Sequence, residues 1–139
     1  MAHKQTQLTI ETRGQGLYEF TRELVTFCRE SKISVGLVTV FCRHTSASLT
    51  IQENADPDVI RDLNEYFKRM VPEDSSLYSH TAEGPDDMPA HIRSALTDVS
   101  VSIPVTDGRP VLGTWQGVFL FEHRTRPHSR SVVLHLSGD

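Results

Sequence analysis

From Val99 onward the chain consists of short apolar runs separated by turn residues. The runs are Val99–Val105, Val111–Thr114, Val118–Arg124 and Val132–Leu136, with Thr106-Asp107-Gly108 and a TRPHS segment among the breaks. Runs of this length bounded by Gly, Pro, Asp and Ser read as strands. Successive strands with no helix between them argue against a doubly wound parallel fold, in which each parallel pair needs a long crossover.

The earlier half alternates more. Leu8–Thr12 reads as a half-buried strand, RGQG at 13–16 as a tight turn, and Leu17–Phe20 as the returning arm of a hairpin. Thr21 is a candidate N-cap for a helix running to about Lys32, with Leu24, Val25, Phe27 and Cys28 on one side. Ser34–Cys42 is rich in β-branched and apolar residues and reads as a buried strand; Leu49 and Ile51 alternate in the next. Asp56-Pro57 is a helix start, because Asp caps and Pro at the first position loses no useful N–H. Val59, Leu63, Phe67 and Met70 form that helix's stripe, and Val71-Pro72 ends it. After an irregular stretch over 72–87, Asp86 or Asp87 caps a third helix with Ile92, Ala95 and Leu96 inward. Strands, helix, strands, two helices, strands: the order predicts an α+β fold with a mostly antiparallel sheet, in one domain spanning 1–139.

The formal net charge of −4 and the absence of a basic run give little electrostatic support for nucleic-acid or membrane-surface binding. Cys28 and Cys42 form no CxxC pair, which suits a reducing compartment better than a disulfide scaffold. The N-terminus lacks the apolar core of a signal peptide, and no run reaches the ~20 apolar residues of a membrane helix. The expected location is cytoplasmic.

The polar chemistry is concentrated in two segments, HTSASLTIQENADPD from His44 and HTAEGPDDMPAH from His80 to His91. Imidazoles and carboxylates bind divalent metals and move protons near neutral pH. His80 and His91 are eleven residues apart, unlike the i, i+4 pair of HExxH, so the fold has to bring them together. With His44 they form a three-nitrogen set that favours zinc or a related metal. Alternatively, Glu53, Asp56, Glu83 and Asp86 can hold Mg²⁺ through oxygens, with substrate phosphate completing the shell. Asp56 and Asp86 also have plain roles as helix caps. Glu53 keeps the parity of Leu49 and Ile51, so it points to the apolar side and needs a partner or a raised pKa, which makes it a candidate base. Glu122 and Arg124 share a strand face with Val118 and Leu120; Arg124 can clamp a phosphate or pair with Glu122. GTWQG at 113–117 lacks the P-loop pattern and reads as a bulge between strands, with Trp115 in the core or at an interface. Neither cysteine nor the HTSAS serines carry a nucleophile motif.

Three segments, HTSASLTIQENADPDV at 44–59, HTAEGPDDMPAHIRSAL at 80–96 and LGTWQGVFLFEHR at 112–124, resemble the YjbQ-like family, often labelled secondary thiamine-phosphate synthase. The resemblance implies an α+β, two-layer sandwich of seven mostly antiparallel strands with about three helices outside, assembled as a homotrimer with its site near subunit boundaries. His44, His80 and His91 match the family's histidines and are the expected metal ligands; Glu53, Asp56, Glu83 and Arg124 are the expected catalytic residues, and Thr45, Ser46, Asn54, Gln116 and Glu122 the expected substrate contacts. The implied reaction joins hydroxymethylpyrimidine diphosphate to thiazole phosphate, a small phosphorylated substrate, and releases pyrophosphate, with zinc at the histidines and Mg²⁺ on the diphosphate. Three histidines have no evident task in that transfer, so it is expected to be secondary. The alternatives are a non-catalytic trimer that binds a metal or metabolite, and a metal-dependent hydrolase of a small substrate.

Overall fold

Two antiparallel sheets face each other across one apolar core. The computed structural model describes residues 1–139. In chain order the elements are β1 (Ala2–Thr12), β2 (Gly16–Glu19), α1 (Thr21–Ser31), β3 (Gly36–Cys42), β4 (Ala47–Glu53), α2 (Pro57–Met70), α3 (Asp87–Leu96), β5 (Ser100–Thr106), β6 (Arg109–Pro110), β7 (Gln116–Glu122) and β8 (His128–Gly138). The five-stranded sheet has the order β1-β8-β3-β5-β6 and the three-stranded sheet the order β2-β7-β4. This is the α+β sandwich expected, in a single domain with eight strands in place of seven. The extra strand is the two-residue β6. It pairs with β5 across Asp107-Gly108, both at positive φ as a two-residue hairpin turn requires.

Alternation decides what is buried. Val38, Val40 and Cys42 of β3, Val132, Leu134 and Leu136 of β8, and Val118 and Leu120 of β7 point into the core with Leu49 of β4. Leu24 and Cys28 of α1 join them, so α1 contributes to the inter-sheet core. The other two helices cover the outer face of the three-stranded sheet, where Phe67 of α2 meets Phe121 of β7 edge to face at 5.3 Å. No helix covers the outer face of β3 and β8, and Leu37 and Phe41 stand exposed there, Phe41 at 45%.

Several local expectations are corrected. The first two strands do not form a hairpin: β1 pairs with β8 and β2 with β7, in different sheets. The RGQG segment therefore carries the chain from one layer to the other, and Gly14, at φ 131, lies against the Thr125 carbonyl. Thr21 does not cap α1 but starts it; its hydroxyl bonds the Glu19 carboxylate and accepts from the Val118 N–H. Asp56 does cap α2, accepting from the Asp58 N–H at 2.9 Å. Asp86 makes no cap bond, since its carboxylate is engaged by Arg124 and Thr125. Residues Val111–Thr114 are not a strand. They lead into a turn closed by Gln116, whose N–H donates to the Gly113 carbonyl and whose Oε1 accepts from the Gly113 N–H.

Candidate metal centre

Helix α3 presents Asp87 and His91 one turn apart on one face, and the preceding loop brings His80 to the same place. The ligand-type atoms of His80, Glu83, Asp87 and His91 all lie within 4.8 Å of one another. Asp87 Oδ2 is the focus: His80 Nε2 stands 2.6 Å from it and His91 Nε2 3.0 Å from it. Glu83 Oε2 lies 3.5 Å from His80 Nε2 on the solvent side. Asp87 itself is 2% exposed, a buried carboxylate under two half-exposed imidazoles.

The surroundings fix the orientation of each group. Arg124, just beyond β7, donates from Nη1 to Asp87 Oδ1 at 2.6 Å, which leaves Oδ2 turned to the histidines. The same guanidinium donates from Nε to Asp86 Oδ2 at 2.9 Å and from Nη2 to the Glu83 carbonyl at 3.1 Å. All three of its nitrogens are therefore occupied, and the expected phosphate clamp is instead the brace of the acidic cluster. Burial pushes the Asp86 carboxyl up, but the Thr125 N–H and Arg124 outweigh it and hold its pKa at about 2. Burial likewise opposes ionisation of Asp87, and the bond from His80 with the Arg124 charge brings it below the usual carboxylate range. The bond to Asp87 raises the His80 pKa.

The tautomer of His91 follows from its neighbour. Its Nδ1 is 3.0 Å from the Thr45 carbonyl oxygen, which can only accept, so Nδ1 carries the proton. In the neutral ring the Nε2 lone pair then points at a carboxylate oxygen 3.0 Å away. Two lone pairs at that distance repel unless a proton or a metal cation lies between them. A tetrahedral zinc with bonds of ~2.0–2.2 Å sets its ligand atoms roughly 3.3–3.5 Å apart. The 3.5 Å from His80 to Glu83 matches that figure, the 2.6 and 3.0 Å from the imidazoles to Asp87 Oδ2 are shorter, and all four ligand atoms fall within 4.8 Å of one another. The donor set fits a divalent transition metal.

The expected site residues divide into two groups. His44 stands apart from the quartet: its Nε2 accepts from the Ser131 N–H at 2.8 Å, and burial followed by the Arg130 charge lowers its pKa. Asp87, not His44, joins His80 and His91. Thr45 contributes its carbonyl. Ser46 accepts from Arg130 through its hydroxyl. Glu122 is 0% exposed and cannot meet a substrate; it is bound by Arg130 and Thr12 inside the sandwich. Glu122 shares the strand face of Val118 and Leu120, but that face stays buried to its end, and the partner of Glu122 is Arg130 and not the Arg124 side chain. Glu53, Asn54, Asp56 and Gln116 lie elsewhere. In the β4–β7 ladder Ala47 pairs with Glu122 and Glu53 with Gln116, so Glu53 is six residues, roughly 20 Å, from the histidine end. There Glu53 accepts from the Asp56 N–H, and Asn54 donates to Glu19. Within one chain these groups serve the entry to α2 and not the metal cluster. Trp115, expected in the core or at an interface, is 63% exposed beside them.

Beside Glu83 a polar cavity of about 470 Å³ opens, lined also by Gly84, Asp86, Arg124, Thr125 and Arg126. Asp87 and Arg130 were missed as functional groups by sequence reasoning. The i, i+4 spacing of Asp87 and His91 was the available signal for the first; the second had none, because its partner is eight residues away across a turn.

Comparison with known proteins agrees with this fold. A solved structure from Clostridium acetobutylicum, described as an uncharacterized conserved protein of the yjbq/upf0047 family, superposes with a TM-score of 0.88 at 34% identity, covering 95% of this chain and 99% of that one. The UPF0047 protein sll1880 of Synechocystis is 58% identical over 132 residues, 95% of this chain and 90% of that protein. The UPF0047 protein YjbQ of Escherichia coli O157:H7 is 40% identical over 136 residues, 97% and 98% of the two chains. None of these names carries thiamine-phosphate synthesis or any other transferase activity, and that expectation is withdrawn. The sequence model described as "UPF0047 protein YjbQ-like" matches residues 6–139, and the chain belongs to that family.

Proposed function

We propose that the protein is a metal-dependent enzyme that binds a divalent transition metal, zinc above others, through His80, Asp87 and His91, and acts on a small polar substrate admitted beside Glu83. The observation that carries this reading is the convergence on Asp87: His91, its Nδ1 committed to the Thr45 carbonyl, and His80 both bring Nε2 to the buried Asp87 Oδ2, at 3.0 and 2.6 Å. A metal bound there supplies Lewis acidity and activates water for hydrolysis. Arg124 holds Asp87 in place, Thr45 holds the His91 tautomer, and Glu83 is the exposed carboxylate beside the open side, placed to take a proton. The partial exposure of both histidines favours an accessible reaction centre over a closed structural site.

The test is competition of the apo protein with a chromophoric chelator for Zn²⁺. Wild type is expected to bind at least 100-fold tighter than His91→Ala and Asp87→Ala. Equal affinity of wild type and both variants would refute the metal centre. With the metal loaded, release of a fragment from a single substrate, with no second substrate present, is the expected sign of hydrolysis.

The same reading includes a homotrimer. The uncovered outer face of β3, with Leu37 and Phe41, supports association. Light scattering is expected to give three times the 15.6 kDa chain mass. The two buried free thiols support a reducing, cytoplasmic setting, and no helix is long and apolar enough to cross a membrane.

A further inference from the structure

β1 is the outermost strand of the five-stranded sheet and pairs with β8 along its whole length, from Ala2 opposite Gly138 to Thr12 opposite His128. On its other side it has no neighbour. Alternate N–H and C=O groups of an edge strand point away from the sheet, and those of β1 bond nothing else in the chain. Exposed edges are ordinarily kept short, bulged, or interrupted by proline or several charges. β1 has eleven residues, no proline, an unbroken register and a single lysine near its start. An edge of this length without those devices is suited to pairing with a further strand.

Helix α1 turns this edge into one wall of a groove. The space between them, about 320 Å³, is lined by Leu8 of β1 and Phe27 of α1, both half-buried against the core, and by Thr6. Arg22, Glu23 and Glu30 line its helix side; all three are exposed and form no ion pair within the chain. Arg22 and Glu23 are adjacent and offset each other. That leaves Glu30, in the last turn of α1, where the helix dipole also favours a cation. The chain path gives the groove a direction. Just beyond α1 the Ser34 N–H donates to the Asp139 carbonyl at 2.8 Å, and Gly138 is the partner of Ala2. The Glu30 end of α1 therefore lies toward the start of β1. A strand added antiparallel to β1 runs from the Arg22 end to the Glu30 end. Its alternate residues face the groove, so an apolar side chain against Leu8 and Phe27 sets the next inward residue, two positions later and ~7 Å on, beside Glu30.

We propose that the β1 edge and the α1 groove dock an extended segment of a partner protein, added as an antiparallel strand, in which an apolar residue is followed two positions later by lysine or arginine. Main-chain bonds to β1 hold the segment, and the apolar and basic side chains select it. A second copy of this chain is a poorer occupant: in its β1 the base precedes the apolar residue, Lys4 before Leu8, and falls toward the Arg22 end. The groove lies on different elements from the metal cluster of α3 and its preceding loop, and the inference is independent of that reading.

The test is an NMR titration of the full chain with two capped peptides, TTTVTKT and TTTVTET, read at the backbone amides of β1. In the free protein the outward amides of β1 are expected to exchange rapidly with solvent. TTTVTKT is expected to shift them and slow their exchange, and to bind at least about fivefold tighter than TTTVTET. Glu30→Lys, a change at an exposed position, is expected to reverse that order. Three results would each overturn the proposal: β1 amides unmoved by millimolar TTTVTKT, equal affinity for the two peptides, or an order that Glu30→Lys leaves as it was. Outward amides already protected in the free protein and released on dilution would place a second copy on the edge instead, and would also overturn it.

Discussion

Replacing Glu122 by Gln removes one charge from the most enclosed ion pair in the molecule. Glu122 accepts from Thr12 Oγ1 at 2.7 Å, from Arg130 Nε at 2.7 Å and Nη2, and from the backbone N–H groups of His123 at 3.0 Å and Arg124 at 3.1 Å. Gln keeps one oxygen and turns an NH₂ toward donors, leaving the Arg130 guanidinium buried without a counter-charge. Breaking one side of such a pair costs about 3–5 kcal/mol, a large share of the ~5–15 kcal/mol that holds a domain folded. For a chain of this size that is a fall in Tm on the order of 10–20 °C. Far-UV circular dichroism in a urea series is the assay, because exposed Trp115 is a poor fluorescence reporter of the core. Glu122→Met with Arg130→Met is expected to recover much of the loss, since an apolar pair leaves no charge uncompensated. The pH dependence is a second readout. Burial pushes the Glu122 carboxyl up, but Arg130 and Thr12 outweigh it and hold it below its ordinary 4.5. Its contribution is therefore full above pH 4.5 and is lost as pH falls through the depressed folded value, a slope that Glu122→Gln should lack. A loss under about 1 kcal/mol with an unchanged acid slope would refute the argument.

Asp56→Ala should cost about 1 kcal/mol in the same urea assay, because the α2 cap bond to Asp58 is lost. Gly36→Ala should cost ~1–3 kcal/mol, since its Cβ would overlap the Ser137 carbonyl in the β3–β8 ladder, where only backbone can give way. His123, with its pKa lowered to about 3, should show no imidazole titration by NMR from pH 5 to 8. Its unfolded-state ring protonates below about 6.5, so His123→Phe should flatten the stability loss between that pH and about 3, the sign expected for a depressed histidine.

The fold was legible wherever one face of an element is buried against one neighbour. Val38, Val40 and Cys42 announce β3 by alternation, and Asp56-Pro57 announces α2 by cap chemistry. Pairing was not legible at the N-terminus, because RGQG looks the same whether the chain turns back or changes layer. At the site, His80 and His91 were legible as a pair of imidazoles, while the third position was assigned to His44. The separation of His44 from them depends on its bond to Ser131, 87 residues away in sequence, which no local pattern encodes. Glu53 shows the same limit: parity placed it on the inward face, but not at which end of the sheet the chemistry lies.

The place of β8 has a consequence for how the protein is made. It sits between β1 and β3, so the five-stranded sheet lacks its second strand, and β1 has no neighbour, until residues 128–138 have left the ribosome. Ala2 pairs with Gly138 and Thr12 with His128, contacts that span nearly the whole chain. A nascent chain can form its helices and the β3–β5 ladder, but it carries open strand edges on both sides of the gap while it waits. Folding should therefore be slow for a chain of this length, governed by closure of a long loop. A circular permutant that joins the present ends and opens the chain at the exposed loop after β6 would make the β1–β8 pair local, and should fold faster with the native architecture retained.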